Sequence, residues 1–488
     1  MPVEGKFIRG VAWMAAGGWT EQAINFAVFV TMAKLLGPET YGLLAMAAVF
    51  IVLAEALVRE SVSEYLIATA DPGTEDFNAA FWLTAGLGLA LALLLIVAAG
   101  PIAALYGAPE VAGLIRGLSV TVFLVAFTAV PAAILRRDFN FRILSLRAIA
   151  GVAAGGGVGI GMAIAGWGVW SFVGQWIAMI STNAVMAWTA VDWRPGLNTS
   201  RAHVRRAGAF GAQVLGLRAA ELAAAQMPTL LIGATLGPLA TGLYAVSWRL
   251  VETLSFLIST PLRMVSQPAF AAVRREGGSA GDLLLDIARL TGLVAFPFFV
   301  GLAVVAEPAL RVMLGQEWLG AAPVLSVLAF LGLYFSIAMV QQSFCLAAGK
   351  AGAITVLTWS NAALGAALML IASRWGLVAI TGGFVAAHYA LWIFRFHLVA
   401  RLGEMPVMPL IACNVEAALA TAVMAGGVMA IHGLAASLPL GIDLALSILS
   451  GMAVFAVLTV IFMRDRLTLL ASFVAPRRPK PPVEREAA

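Results

Sequence analysis

Charged residues are scarce in this chain of 488 residues. Only 11% of the residues are Asp, Glu, Lys or Arg, whereas 61% are hydrophobic. Soluble proteins carry about 25% charged residues and roughly 45–50% apolar ones. The composition therefore excludes a soluble globular protein and predicts an integral membrane protein.

Cysteine is almost absent as well. Cys345 and Cys413 are the only two, and both lie inside apolar runs. A disulfide framework and a zinc site are therefore excluded. His388 and His397 have no acidic or Cys companions at ligand spacing. We expect no bound metal and no organic cofactor.

Long polar loops are also missing, and this argues against an enzyme. Membrane enzymes that act on lipid-linked sugars usually carry catalytic groups in sizeable loops outside the bilayer, and this chain has no room for them. The glycine-rich run 155–161 lies inside an apolar segment, with no preceding strand and no Lys-Ser/Thr pair. It predicts close helix packing rather than a phosphate-binding loop. Transport driven by ATP bound to this chain is therefore not expected.

The apolar runs predict an all-α membrane protein with fourteen spanning helices. Each run offers the roughly 20 apolar residues that a spanning helix needs. Lys6 and Arg9 precede the first run, which is too long for a signal peptide core, so we interpret it as an uncleaved span. The predicted spans are 10–36, 41–67, 76–100, 111–135, 142–165, 168–191, 208–235, 239–264, 285–314, 320–347, 351–373, 376–400, 407–432 and 439–463.

The distribution of basic residues sets the orientation of these spans. With a cytoplasmic N-terminus, most of the 30 Lys and Arg residues fall on the inner side. The outer side keeps only Lys34, Arg116, Arg311 and Arg374. The positive-inside rule therefore places both termini in the cytoplasm. Since this topology accounts for the basic loops, we expect no nucleic-acid partner.

Two segments recur in the same order and indicate an internal duplication. The phrase at 36–43, Leu-Gly-Pro-Glu-Thr-Tyr-Gly-Leu, returns at 236–243 as Leu-Gly-Pro-Leu-Ala-Thr-Gly-Leu. A second echo matches Pro101, Glu110, Gly113, Leu118, Ser119 and Val120 to Pro308, Glu317, Gly320, Leu325, Ser326 and Val327. We predict two parallel six-helix lobes, 1–200 and 201–404, followed by two additional helices in 405–465 and a cytoplasmic tail, 466–488. Such duplications are typical of secondary transporters.

Glu21 and Glu221 stand at equivalent positions before the repeated phrase, near the middle of their spans. A carboxylate at this depth faces the bundle interior or water. It is suited to coupling transport to an ion, H+ or Na+. The alternative is a neutral carboxyl group that hydrogen-bonds a neighbouring helix.

Arg218 and Arg249 each precede a glutamate, Glu221 and Glu252, by three residues. This spacing puts the partners on one helix face. One interpretation is a pair of intrahelical ion pairs that only neutralise each other. The other is that the arginines bind an anionic substrate, since guanidinium forks suit phosphate oxygens. If the substrate carries a diphosphate, Arg218 and Arg249 are its candidate anchors, with Glu252 a further cavity candidate.

Glu55, Arg59 and Glu60 lie toward the cytoplasmic end of the second span. They are candidates for an inner gate. A helix end whose long side chains reach toward water is the alternative.

Several of these segments together resemble a known family. They are 35–42, 130–142 (Val-Pro-Ala-Ala-Ile-Leu-Arg-Arg-Asp-Phe-Asn-Phe-Arg), 166–170 (Gly-Trp-Gly-Val-Trp), 193–195 (Trp-Arg-Pro) and 314–318 (Leu-Gly-Gln-Glu-Trp). The ordered set resembles the Wzx-type polysaccharide exporters, in particular the colanic-acid-exporter branch of the multidrug/oligosaccharidyl-lipid/polysaccharide flippase superfamily.

The resemblance implies a function as well as a fold. It implies a flippase of the bacterial inner membrane that moves undecaprenyl-diphosphate-linked oligosaccharides to the periplasmic leaflet by alternating access, for exopolysaccharide, capsule or O-antigen synthesis. Membrane lipids, a polysaccharide polymerase and export machinery are the expected partners. The alternatives are a drug or cation antiporter of the same fold, as in the MATE transporters, and a membrane enzyme acting on lipid-linked sugars.

The orientation can be tested with reporter fusions to the full chain. Reporters placed after Arg206 and after Arg464 should score cytoplasmic, and a reporter in the 237–241 segment should score periplasmic, because basic loops remain inside. Activity of a paired alkaline phosphatase and fluorescent protein at each position measures this. A periplasmic signal after Arg206 would overturn the arrangement of fourteen spans.

Overall fold

Helices make up most of the chain that the computed structural model describes, namely residues 3–69, 72–275, 278–434 and 439–474, and these residues form no strand. Within these ranges some side chains, such as those of 60–64 and 213–221, lie outside the described residues. A helix satisfies its backbone hydrogen bonds within one segment, so it is the natural structure for an apolar chain in a bilayer.

The helices follow one another with short connections. They are α1 (Val3–Ala68), α2 (Thr74–Tyr106), α3 (Glu110–Arg137), α4 (Phe141–Ile164), α5 (Trp170–Thr189), α6 (Arg201–Arg275), α7 (Ala280–Val304), α8 (Ala306–Met313), α9 (Ala322–Ala347), α10 (Ala351–Ala372), α11 (Leu377–Leu402), α12 (Val407–Ala412), α13 (Val415–Leu434), α14 (Leu440–Phe462) and α15 (Arg464–Val474).

Helices α1 and α6 each break at the glycine of the repeated phrase. Gly37 has φ 72° and ψ 172°, and Gly237 has φ 81° and ψ −173°. Such positive φ angles favour glycine. The Tyr41 hydroxyl donates to the carbonyl oxygen of Phe29 at 3.3 Å. Residues so far apart in sequence cannot meet in a straight helix, so the two arms of α1 fold back on each other. The matching dihedral angles at both glycines support the predicted duplication.

The two breaks also touch each other. A Cβ atom on Gly42 would collide with the carbonyl oxygen of Pro238, and one on Gly242 would collide with that of Pro38. The contact is reciprocal, as expected for two copies of one motif that face each other. Glycine is required at both positions because the backbones approach too closely for any side chain.

The helices match the expected spans closely, but the number of membrane crossings remains a prediction. Eleven described helical segments are long and apolar enough to cross a membrane. One of these segments lies in α1 and one in α6. Each of these two helices contains two of the predicted spans, one before and one after its glycine break. The sixth expected span corresponds to α5, which is not among the eleven. The ninth is divided into α7 and α8, and the thirteenth into α12 and α13, whereas α15 was not expected.

The described chain forms two compact units. The first comprises 1–253, 310–325 and 358–387, and the second comprises 254–309, 326–357 and 388–488. The boundaries of these units differ from those of the predicted lobes. The division into lobes 1–200 and 201–404 with a separate helix pair in 405–465 remains a prediction.

The core of the first unit is built on α3. Leu114, Ile115, Leu118 and Val122 repeat at helical spacing and are fully or almost fully buried. They pack with residues of α1, α2 and α5. The segment between α5 and α6 is fixed to α2, where the Asn78 side chain donates to the carbonyl oxygen of Asn198 at 2.9 Å and accepts from the amide of Gly196 at 3.0 Å.

The second unit has its own apolar core and, among its described residues, two buried arginines, Arg395 and Arg466. Phe270 and Phe344 pack edge to face, with ring centroids 5.4 Å apart. Arg466 in α15 is 5% exposed and donates to the carbonyl oxygen of Cys413, which lies in the break between α12 and α13, at 2.8 Å. Arg466 also forms an ion pair with Glu416 at 3.1 Å, so it links α15 to the start of α13.

The contact between the glycine breaks predicts a strong effect of single methyl groups. Gly42→Ala and Gly242→Ala should each lower the stability of the purified protein by about 1–3 kcal/mol, because an added Cβ forces the backbones apart. The apparent Tm in detergent, followed by tryptophan fluorescence, measures this. Gly157→Ala in α4 is the matched control, since its Cβ would meet no neighbouring atom. Equal Tm values for the two variants and the control would contradict a tight contact.

Candidate functional site

A large cavity in the described part of the first unit lies between α1, α3, α4, α5 and α6. Its volume is about 670 Å³, within the range of about 300–1,000 Å³ that is common for ligand sites. Each helix contributes residues at helical spacing, such as Glu21, Asn25 and Phe29 in the first arm of α1. Ala45 and Ala48 in the second arm leave the space open because their side chains are short.

The polar lining of this cavity is dominated by arginine. Four arginines from four helices reach it, whereas Glu21 is the only acidic residue among the described lining residues. Three amide side chains, one threonine, one tyrosine and one tryptophan complete the polar lining. The polar lining residues are Glu21, Asn25, Tyr41, Arg59, Thr128, Arg136, Arg147, Gln175, Trp176, Asn183 and Arg249.

Arg147 is the centre of the electrostatic arrangement. The charges of Arg136 and Arg59 repel it, and the charge of Glu21 attracts it. Its Nε–H group is buried and has no hydrogen-bond partner in the described structure. Arg147 is half-buried, whereas Arg59 and Arg136 are exposed. Like charges that line one cavity repel one another unless an opposite charge joins them. The cavity therefore favours an anion.

A buried carboxylate, that of Glu55, lies beside Arg59 at the cavity wall. Glu55 is 5% exposed and accepts a hydrogen bond from the Thr121 hydroxyl at 2.6 Å. Its other oxygen lies 3.8 Å from the Arg59 guanidinium. Glu55 itself does not line the cavity. It connects α1 to α3 and restrains the base of Arg59.

Arg249 enters the cavity from α6 and carries its own counter-charge. Its guanidinium lies 3.6 Å from the Glu252 carboxylate, in the predicted intrahelical pair. Both side chains are partly exposed, at 41% and 54%, so the pair contributes only about 0–1 kcal/mol. Glu252 is not part of the lining. Arg249 therefore lines the cavity and also pairs with Glu252. Both interpretations of its role remain predictions.

Helix α5 supplies an uncharged polar edge. Gln175, Trp176, Met179 and Asn183 face the cavity. Helix α4 packs against the same part of α5 through glycines. A Cβ on Gly151 would come within 2.6 Å of the Asn183 amide, and one on Gly155 or Gly159 within 2.7 or 2.8 Å of Gln175. The prediction that the glycine-rich run serves close helix packing is therefore confirmed.

The structure places only some of the sequence candidates. Glu21, Arg59 and Arg249 line the cavity, whereas Glu55 and Glu252 lie behind it as partners of arginines. The side chains of Arg218, Glu221 and Glu60 lie outside the described residues. Their predicted roles, and the gate and coupling roles of the others, remain predictions.

Sequence reasoning missed Arg136, Arg147 and the amides. Arg136 and Arg147 belong to a basic group that topology alone explains, so the sequence did not distinguish them from loop arginines. One signal was available for the amides: Gln175 and Asn183 are spaced by two helical turns in an otherwise apolar helix. Among the described residues no group of three or more His, Cys, Asp or Glu side chains could hold a metal ion.

Comparison with known proteins identifies similar sequences. A sequence model of the family described as "Polysaccharide biosynthesis protein" matches residues 31–323, more than half of the chain. The succinoglycan biosynthesis transport protein ExoT of Rhizobium meliloti (strain 1021) is 25% identical over 66% of this chain, and the match covers only 65% of ExoT, just under two thirds. The lipopolysaccharide biosynthesis protein WzxC of Escherichia coli (strain K12) is 21% identical over 72% of each chain.

Solved structures share the fold. The lipid II flippase MurJ in an inward closed conformation superposes with a TM-score of 0.77 at 13% identity, covering 93% of this chain and 99% of MurJ. An inward-facing multidrug resistance MATE family transporter of the MOP superfamily superposes with a TM-score of 0.55 at 16% identity, covering 78% of this chain and 96% of that transporter. The chain is thus a multi-pass membrane protein with a transporter fold.

A double-mutant cycle separates the two interpretations of Arg249. If Arg249 binds an anion in the cavity, Arg249→Ala should weaken binding of farnesyl diphosphate to the purified protein roughly ten- to hundredfold, since a hydrogen bond to a charged group is worth about 1.5–3 kcal/mol. Glu252→Ala alone should change the affinity little, because the pair is partly exposed.

The double variant Arg249→Ala/Glu252→Ala is decisive. If Arg249 is an anion ligand, the double variant binds as weakly as Arg249→Ala. Recovery of the wild-type affinity would mean that Arg249 only neutralises Glu252. Isothermal titration calorimetry at a fixed, low salt concentration measures all four proteins.

Proposed function

Because the chain belongs to the family of polysaccharide biosynthesis proteins, we propose that it is a flippase that moves polyprenyl-diphosphate-linked oligosaccharides across a membrane. The cavity that gathers Arg59, Arg136, Arg147 and Arg249 around a single glutamate carries this proposal. A lipid diphosphate brings two negatively charged phosphates, which offset the repulsion among the arginines. Two relatives are named as proteins of polysaccharide transport or lipopolysaccharide synthesis, which supports the same substrate class.

The positions of the arginines suggest how each would contribute to binding the diphosphate. Guanidinium groups can each donate two parallel hydrogen bonds to phosphate oxygens. Arg147 interacts electrostatically with Arg59, Arg136 and Glu21, and its Nε–H group has no hydrogen-bond partner in the described structure. Arg59, which pairs with Glu55, and Arg249, which pairs with Glu252, approach from other helices. The diphosphate would thus be bound from several sides and would be released when the helices move apart during alternating access.

Glu21 is the proposed coupling group. It lies in the same cavity as the arginines, and Arg147 attracts its carboxylate. Arrival of the diphosphate competes for Arg147, so substrate binding and the charge of Glu21 are linked. We propose that uptake of H+ or Na+ at Glu21 accompanies the return of the empty carrier. Glu221, in the equivalent position of the second repeat, is the second candidate.

The setting of this step is also a proposal. We propose the bacterial inner membrane, both termini in the cytoplasm and movement from the cytoplasmic to the periplasmic leaflet. The product would serve exopolysaccharide, capsule or O-antigen synthesis. A polysaccharide polymerase and export machinery would take it up on the far side.

A drug or cation antiporter is the second candidate, since a MATE transporter shares the fold. The charges of the cavity lining disfavour cation transport. Four arginines against one glutamate make the cavity unfavourable for a cation, whose charge they would repel. An enzyme acting on lipid-linked sugars is a weaker alternative.

Deletion and complementation test the proposal. Deleting the gene should abolish surface polysaccharide and leave lipid-linked repeat units on the cytoplasmic leaflet. Arg147→Ala should fail to restore export although its membrane abundance stays normal, since the diphosphate loses a charged ligand. Arg374→Ala is the control, because this exposed arginine does not line the cavity. Accessibility of the repeat units to an external glycosidase in spheroplasts measures their sidedness.

Two outcomes would contradict the proposal. If repeat units reach the outer leaflet at the wild-type rate in the deletion strain and remain unpolymerised, the protein is not their flippase. If Arg147→Ala restores export as well as Arg374→Ala does, the cavity is not the site of the diphosphate.

A further inference from the structure

The uncharged edge of the cavity is not explained by a diphosphate. Gln175 and Asn183 on α5 and Asn25 on α1 all line the cavity. Their amide groups make no hydrogen bonds to other described residues. An unpaired amide at membrane depth costs about 1–3 kcal/mol unless water or a ligand bonds to it. An anion that binds arginine offers nothing to the carbonyl oxygens of these amides, because they need hydrogen-bond donors.

The backbone of α4 is adapted to keep these amides at the cavity wall. Gly151 packs on Asn183, and Gly155 and Gly159 pack on Gln175. Any side chain at these three positions would push α5 away from α4 and move the amides. Gly157 lies on another face of α4, where an added Cβ would meet no atom within 4 Å. The glycines therefore set the position of α5 relative to the cavity.

The order of residues along α4 and α5 shows which end of the uncharged edge lies next to the arginines. Gly151 lies one helical turn after Arg147 on α4, and Asn183 packs on Gly151. Asn183 is therefore adjacent to the cationic end of the cavity. Gln175 lies two turns away on α5, about 12 Å along the axis. Between them the half-buried Trp176 faces the same cavity.

We infer that the edge formed by Gln175, Trp176 and Asn183 binds the uncharged sugar units that adjoin the diphosphate. The inference rests on the proposed flippase function and specifies its substrate. Amide groups both donate to and accept from sugar hydroxyls, and an indole ring packs on the apolar face of a pyranose. The diphosphate bound by Arg147 places the first sugar at Asn183. The glycan then extends along α5 toward Gln175.

The test compares two probes on the full-length protein. The probes are farnesyl diphosphate and farnesyl diphosphate linked to a neutral disaccharide. Purification in a detergent without a sugar headgroup prevents competition. The variant Gln175→Met/Asn183→Leu keeps the side-chain volumes and removes both amides. Its affinity for the disaccharide probe should fall about tenfold or more, the loss expected for two hydrogen bonds. Its affinity for farnesyl diphosphate should equal that of the wild type.

Two further variants separate a sugar site from a packing effect. Gly155→Ala should move Gln175 without removing an amide and should reproduce part of the selective loss, whereas Gly157→Ala should not. Gln267→Leu removes an exposed amide outside the cavity and should bind both probes normally. A normal Tm for the double amide variant shows that its fold is intact.

The outcomes distinguish this inference from the proposed function. If the amide variant loses affinity for both probes equally, or for neither, the sugar site is refuted while the diphosphate site stands. Loss of both probes in Arg147→Ala, with selective loss in the amide variant, supports both proposals. A wild-type protein that binds neither probe refutes both.

Discussion

Four guanidinium groups line one cavity among helices that are long and apolar enough to cross a membrane. The contacts around this cavity must offset the repulsion among these groups. Such a concentration of like charge is unfavourable, and three of the four arginines have an acidic neighbour that offsets part of it. Glu55 pairs with Arg59, Glu252 pairs with Arg249, and Glu21 attracts Arg147. These partners do not cancel the excess around Arg147, whose Nε–H remains unpartnered. The remaining attraction for an anion is the physical basis of the proposed function.

Glycine determines how the helices can surround this cavity. At Gly42 and Gly242 the two copies of the repeated phrase touch through their backbones. Along Gly151, Gly155 and Gly159 the backbones of α4 and α5 approach so closely that the amides of α5 reach the cavity wall. In a bilayer the hydrophobic effect does not drive helices together, so van der Waals contact at small residues contributes much of the association. The same glycines thus contribute to stability and to the shape of the site.

Much of the fold was predictable because apolar run length and Gly-Pro punctuation follow directly from the bilayer. The duplication was visible in 36–43 and 236–243, and the equal dihedral angles at Gly37 and Gly237 support it. The site was less predictable. Arg136 and Arg147 look like ordinary inner-side arginines, since the positive-inside rule accounts for them equally well. Which arginines turn inward depends on the rotation of each helix, and in α4 this rotation is set by packing at glycines rather than by a hydrophobic period.

The cavity places its arginines and its amides on different parts of the lining. This separation explains how one cavity can combine high affinity for the diphosphate with selectivity among glycans. Charge supplies affinity for any diphosphate and cannot distinguish one glycan from another, because the phosphates are common to all lipid-linked sugars. Amides and an indole ring supply weaker, geometry-dependent contacts that vary with sugar stereochemistry. Placing them on α5, next to Arg147 but on a different helix, lets sugar recognition change without altering the diphosphate ligands. Relatives that act on different polysaccharides would then differ first along this edge of α5, while the arginine arrangement would be retained.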